Sequence, residues 1–421
     1  MADIFFRPEG VLADVIPFYN TSDKKFYIYY LHDYRDVDKH GIGCDWDLLT
    51  TENLVDYEDH GTVLPRGGME ERDLFVFTGD VVAYDNDYYI FYTGFSPFSQ
   101  EKGRPAQVIL RAKSKDLIHW EKDTSFVLEA PPRQYAVNDW RDPFVYREGK
   151  RFFMLLASRT AEPESFSPGG VTVLCSSDDL FQWKVEDKPF WNPGLYYTHE
   201  CPDLFRMGDY WYMIYSEYSH AHFTRYIMSR DKENWIVPEN DHFDGSLFYA
   251  AKSAGDDKNR YLFGWIATLE GDHDTGLAQW GGSLAVHEIY PKEDGTLAVC
   301  IPEGILDAFK KNGRQHENIR LSGSGCRKWE WIFRDGGCFC MECDIVFEPS
   351  AGSFGIALST AGGRENYCFS FYQKEKMLAL DKSPNVDIQV KYMNCRVPVP
   401  SLSEGRIHMA LIYENGIAEM C

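Results

Sequence analysis

The sequence predicts an all-β protein, a five-bladed β-propeller followed by a β-sandwich, and three features carry that expectation. Five short aromatic-rich runs recur at nearly even spacing, a turn motif follows each of the first four, and no long stretch of helical periodicity interrupts them. The runs cover 26–31, 88–93, 151–156, 210–215 and 261–266, and their starts lie 62, 63, 59 and 51 residues apart. Units of that length holding several short strands and turn signals read as propeller blades rather than βαβ units. The turn elements are Thr51-Glu-Asn-Leu-Val-Asp-Tyr57, Ser114-Lys-Asp-Leu-Ile-His-Trp120, Ser177-Asp-Asp-Leu-Phe-Gln-Trp183 and Ser229-Arg-Asp-Lys-Glu-Asn-Trp235. Asp or Asn two positions after Ser or Thr hydrogen-bonds the backbone of a tight turn, and the aromatic that follows plugs the gap between sheets.

Acids stand in register with this repeat. Asp14, Asp80, Asp142 and Asp203 each fall shortly before an aromatic run, in the first four units. If they begin the innermost strands they converge on the propeller axis. Like charges gathered in one funnel are costly and point to carboxyls with shifted pKa values. The spacing ends near Leu306, so residues 1–306 form the expected propeller. Polar Lys310-Lys311-Asn312-Gly313-Arg314-Gln315 reads as a linker. Residues 316–421 alternate apolar and polar side chains, as expected of a sandwich, and the alternation is still running at Cys421.

Composition narrows the classes of function. Lys and Arg number 43 against 65 Asp and Glu, a net charge of −22. A chain so acidic, with no basic cluster, is not expected to bind nucleic acid. No apolar run reaches the ~18 residues that cross a bilayer, so no membrane partner is expected. The N-terminus lacks a basic segment followed by an apolar stretch, and the 11 cysteines form no obvious paired framework. Free thiols in a reducing cytoplasm are the simpler reading.

Three stretches carry a family resemblance. Trp140-Arg141-Asp142-Pro143 resembles the Arg-Asp-Pro block of glycoside hydrolase family 32, the invertases, inulinases and levanases. Fifty-eight residues on from Asp142, His199-Glu200-Cys201-Pro202-Asp203 resembles the family's Glu-Cys block. Phe77-Thr78-Gly79-Asp80 stands where the family has Phe-Ser-Gly-Ser. Weaker echoes follow in family order at Asp244-Gly-Ser-Leu-Phe-Tyr-Ala250, Gly264-Trp265 and Trp280-Gly281-Gly282. The first block departs from the pattern. Where the family opens with Trp-Met-Asn-Asp-Pro-Asn-Gly, this chain has Val11-Leu12-Ala13-Asp14-Val15-Ile16-Pro17, closer to the opening of the related family 43.

The resemblance implies a retaining hydrolase that releases fructosyl units from fructosides or fructans. Such chemistry needs one protonated and one ionised carboxyl group around an oxocarbenium-like state. By resemblance Asp14 is the nucleophile, Glu200 the acid/base and Asp142 the group that stabilises transition-state charge. Arg141, Phe77 and Thr78 would bind the sugar, and Trp46, placed like the family's Trp-Gly-His stretch, would line its pocket. No cofactor or metal is implied, and the expected partner is a carbohydrate. Two alternatives stay open: a family 43-like arabinofuranosidase or xylosidase, and a non-catalytic carbohydrate-binding propeller. Cys338, Cys340 and Cys343 lack the second ligand pair of a zinc site and read as packed strand residues. Ser216, Ser219 and His220 read as a polar turn rather than a nucleophile with its base.

Overall fold

The computed structural model describes residues 4–163, 167–219, 221–273, 276–310, 319–321, 337–348, 352–359, 366–383 and 396–421. These residues are mostly β. The strands β1 (Val11–Asn20), β2 (Lys25–Asp33), β3 (Asp45–Thr51) and β4 (Glu58–Leu64) pair antiparallel in chain order. Three four-stranded sheets repeat this plan. The first holds β5 (Phe75–Tyr84), β6 (Asp87–Phe95), β7 (Gln107–Ser114) and β8 (Trp120–Lys122). Next come β9 (Tyr135–Glu148), β10 (Arg151–Thr160), β11 (Gly170–Ser177) and β12 (Lys184–Val185). The third holds β13 (Thr198–Met207), β14 (Tyr210–Tyr218), β15 (Thr224–Ser229) and β16 (His242–Phe243). A last group, β17 (Phe248–Gly255), β18 (Arg260–Leu269), β19 (Ala278–Pro291) and β20 (Leu297–Cys300), also pairs in order. Because β19 pairs with β1 as well, through Gly282 and Leu12, the first and last groups make one eight-stranded sheet.

Each aromatic run of the sequence lies on the second strand of its group, where both faces are covered. Such strands read as near-continuous apolar runs instead of alternating ones. The turn elements fold as their residue types dictate. Thr51, Ser114, Ser177 and Ser229 accept the amide of the residue three positions on at 2.9–3.0 Å. That residue (Leu54, Leu117, Leu180 or Lys232) is left-handed, with φ between 62° and 69°. Asn53, Asp116, Asp179 and Asp231 then accept two further amides each. The closing aromatic packs backwards: Trp120 on Tyr29, Trp183 on Phe91 and Trp235 on Phe190, at 5.5–6.0 Å between rings.

The first strand of every group is bulged. Register shifts fall at Ala13/Val15, between Arg141 and Phe144, between Glu200 and Asp203, and between Tyr249 and Lys252, with another at Phe77/Gly79. These strands touch in a cycle, β1 to β5 to β9 to β13 to β17 and back to β1. Side chains lace it together. Asp80 accepts the Val145 amide at 2.7 Å and Asp203 accepts the Ser253 amide at 2.6 Å, each binding its strand to the next. Buried Lys252 donates to the Gly79 carbonyl at 2.6 Å. Burial pushes the Asp80 carboxyl up to about 6, with the Lys252 ammonium working against the rise.

The C-terminal part holds two sheets. In one, β21 (Phe339–Val346), β26 (Arg406–Glu414) and β27 (Ile417–Met420) run in the order β21-β26-β27. The other runs β22 (Ser353–Ser359), β23 (Asn366–Tyr372), β24 (Met377–Ser383) and β25 (Arg396–Pro398). Their facing side chains, among them Phe354, Phe371, Met409 and Leu411, share one apolar cluster. Ala410 and Ile412 look the other way, into a cluster with Phe248 and Ala285 of the N-terminal part. Cys340 joins that second cluster while Cys343 joins the first, so the pleat sends them to opposite faces of β21. The foreseen linker lies outside the described residues except Lys310, the last residue of a short helix, Glu303–Lys310, that buries Ile305. Among the described residues no helix is long and apolar enough to cross a membrane.

Candidate active site

The bulges aim side chains out of the ladder, which is their common use beside active sites. Asp14 stands at the bulge of β1. Thr78, at the bulge of β5, donates its hydroxyl to Asp14 Oδ2, and the Trp265 indole donates to Oδ1 at 3.2 Å. Burial raises the Asp14 pKa; the Thr78 bond opposes that rise, nearby Glu200 adds to it, and the Trp265 bond opposes it. Asp142, at the bulge of β9, has φ 58°. Its amide donates to Thr93 Oγ1 at 2.8 Å, and its Oδ2 accepts the Cys201 amide at 3.1 Å. Burial holds the Asp142 carboxyl well above the usual range; Arg141 pulls it down, and Glu200 and Asp14 push it up.

Glu200 precedes the bulge of β13 and is gripped on both oxygens. Arg141 donates to Oε1 through Nη2 at 2.9 Å and Nε at 3.2 Å. The Tyr249 hydroxyl lies 2.7 Å from Oε2. Arg141 itself is buried, donating to Thr198 at 2.6 Å and Asp139 at 3.2 Å. Burial alone would weaken its charge, but Glu200, Asp142 and Asp139 hold the guanidinium protonated. Glu200, Asp142 and Asp139 therefore surround one cation, and Asp14 interacts with the first two. That surplus of negative charge suits a reaction whose transition state gains positive charge.

The structure brings together Asp14, Thr78, Arg141, Asp142 and Glu200 in this way. Trp46 is a correction. It is fully buried between Tyr29 and Tyr92, with its indole donating to the Phe77 carbonyl at 3.3 Å. Gly79 permits this, since a Cβ there would stand 2.9 Å from the Trp46 ring. Trp46 offers no face to a ligand; the exposed ring nearby is Trp280, edge-on at 6.2 Å to a part-buried Phe77 that stacks on Phe95 at 5.1 Å. Asp80 and Asp203 bind backbone, as described above. Ser216 is buried against Thr224 and Ser219 donates to Glu217, whereas His220 lies outside the described residues. Tyr249, Trp265 and Thr93 were missed as site residues, although the first two sit inside the weaker family echoes.

Two cavities are lined by other residues, and neither is walled by Asp14, Asp142 or Glu200. One, of about 410 Å³, is walled by Tyr196, Tyr197, Glu217, Tyr218 and Arg225. The Tyr249 hydroxyl, 3.1 Å from the Glu217 carbonyl oxygen, joins its wall to Glu200. The other, of about 170 Å³, is bordered by Asp33, Tyr34, Arg35, Phe75 and Trp280.

The Thr78 contact has a testable consequence. If Asp14 must be ionised to act, losing the bond that pulls its pKa down leaves more of it protonated at any given pH. Thr78→Val is therefore expected to move the acid limb of the kcat/KM profile to higher pH. A profile that falls uniformly with its limb in place would show that Thr78 does not tune Asp14.

Comparison with known proteins identifies relatives of this chain. The description "Glycosyl hydrolases family 32 N-terminal domain" matches residues 8–296. A sucrose-6-phosphate hydrolase of Bacillus subtilis is 25% identical over 381 residues, spanning 84% of this chain and 73% of the relative. A raffinose invertase of Escherichia coli is 25% identical over 298 residues, 66% of this chain and 60% of that one. Among solved structures, sucrose-6-phosphate hydrolase from Lactobacillus gasseri superposes with a TM-score of 0.75 at 15% identity, covering 99% of this chain and 84% of its own. Fructan 1-exohydrolase IIa from Cichorium intybus gives 0.76 at 18% identity, covering 97% and 86%.

Proposed function

The chain belongs to glycosyl hydrolase family 32, and from that premise we propose that it is a glycoside hydrolase releasing fructosyl units from fructosides by double displacement. Asp14 attacks the anomeric carbon while Glu200 protonates the leaving oxygen. Glu200 then takes a proton from the water that frees the sugar. Asp142 and Arg141 bind hydroxyls and balance the charge of the transition state. The observation that carries this reading is the linked set itself: Asp14 held by Thr78 and Trp265, and Glu200 held by Arg141 beside Asp142. We read residues 1–306 as a five-bladed propeller and 316–421 as a sandwich. The cycle of five bulged inner strands and the shared core of the two C-terminal sheets support that division.

The altered first block bears on substrate choice. Val11, Leu12 and Ala13 are buried and offer no hydrogen bond to a sugar, and each neutral hydrogen bond forgone is worth about 0.5–1.5 kcal/mol. The exposed ring of Trp280, packed against part-buried Phe77, favours added sugar units instead. Steady-state kinetics on sucrose, sucrose 6-phosphate, inulin, levan and an arabinofuranoside test both points. Free fructose should appear from the fructosides and no arabinose from the last, with sucrose the weakest fructoside. Sucrose giving the highest kcat/KM would overturn the substrate argument, and no fructose from any of them would overturn the function.

A further inference from the structure

A second cluster of polar side chains lies where the N-terminal part meets β27. Asp244 follows β16, His287 is on β19 and Glu419 is on β27; one ligating atom from each lies within 4.8 Å of the others. His287 Nε2 is 3.7 Å from Asp244 Oδ2 and 3.7 Å from Glu419 Oε1. Those separations are too long for hydrogen bonds. His287 is 3% exposed and Glu419 8%, yet among the described residues both ring nitrogens of His287 and Oε1 of Glu419 have no hydrogen-bond partner. Buried polar atoms are nearly always satisfied, so His287 Nε2 and Glu419 Oε1, two orphans that face each other beside Asp244 Oδ2, call for a missing partner.

The surroundings hold the donors in place. Asp244 is left-handed, with φ 55°, and its Oδ1 accepts the Gly245 amide at 2.7 Å, which leaves Oδ2 for the cluster. The Phe248 ring stands edge-on to His287 at 4.8 Å. Burial raises the Glu419 pKa well up, with Asp244 adding to it, and lowers that of His287, so the charged forms lack compensation there. A cation supplies it. Imidazole nitrogen and carboxylate oxygen bind zinc at about 2.0–2.2 Å, which places tetrahedral ligand atoms about 3.4 Å apart, near the separations seen.

We propose that Asp244, His287 and Glu419 form a structural site for a divalent transition metal, zinc being the best match, that clasps β27 to the N-terminal part. Two carboxylates and a neutral imidazole would balance the ion's charge, and the half-exposed Asp244 side gives it a route from solvent. The ion takes no part in hydrolysis, because none of its ligands touches the catalytic carboxyls.

The test uses the full chain, stripped with a chelator and then dialysed against zinc, with bound metal measured by mass spectrometry and stability by thermal unfolding. One zinc per chain is expected, with a Tm that rises on adding zinc and falls back with chelator. His287→Gln and Glu419→Gln should each weaken zinc binding by about tenfold or more. Asp244→Asn, at the exposed corner, should do the same should either buried variant not fold. Wild-type protein that neither retains zinc nor gains Tm from it would overturn the proposal, as would folded variants that bind zinc like the wild type. Either result would mean that the cluster holds no metal.

Discussion

Asp14→Asn is expected to lower kcat on every fructoside by about 10⁴-fold or more, because no covalent sugar–enzyme bond can then form. The substitution keeps the shape, with the amide oxygen free to accept the Trp265 indole and the amide nitrogen to donate to the Thr78 hydroxyl, so the fold should survive. Stability supplies a second readout. Burial raises the folded pKa of Asp14, so its contribution to stability is present at low pH and lost as pH rises through that value. An amide at this position does not titrate. The variant should therefore lose less stability than the wild type between acid and neutral pH, as followed by thermal unfolding across that range. Activity within about tenfold of wild type would remove Asp14 from the nucleophile's role.

Glu200→Gln should separate the two halves of the reaction. Loss of the general acid is expected to cost roughly 10²–10⁴-fold on fructans and sucrose, whose leaving groups need a proton. A fructoside with a nitrophenol leaving group needs little, so its first step should be spared. The second step still lacks its base, and a burst of nitrophenol followed by slow turnover is the expected trace. Equal losses on both kinds of substrate would mean that Glu200 acts only by holding Arg141. That ion pair joins buried Arg141 to part-buried Glu200, so unfolding curves must accompany the kinetics.

How much of this was legible in the sequence differs from residue to residue. The turn element could be read because its chemistry is local: a hydroxyl, a carboxyl or amide two positions on and a closing ring specify one backbone shape. The register of acids was legible only in part. Counting back from the aromatic strands puts Asp14, Asp80, Asp142 and Asp203 in one class, but a bulge adds residues that such counting cannot see. Asp14 and Asp142 occupy the bulges, where side chains leave the ladder, whereas Asp80 and Asp203 fall just beyond and are spent on neighbouring amides. In the second sheet it is Thr78 that occupies the bulge, which is why it reaches Asp14.

Trp46 shows the opposite error. A Trp placed like the family's pocket residue says nothing about which face of the strand it takes, and here Gly79 opens a slot that buries it. Tyr249 and Trp265 were visible as residues but not as contacts, since each reaches its acid from another strand, 49 and 251 positions away. Asp244, His287 and Glu419 had no local spacing at all to mark them.

The most direct test of a double displacement at Asp14 and Glu200 is the configuration of the first fructose released. Proton or carbon NMR of the product, recorded before mutarotation, reads it from the wild-type enzyme acting on a β-fructoside. Retention, with β-fructofuranose appearing first, is expected of two successive displacements. Initial release of the α anomer would show a single displacement by water and contradict the assignment of Asp14 as nucleophile.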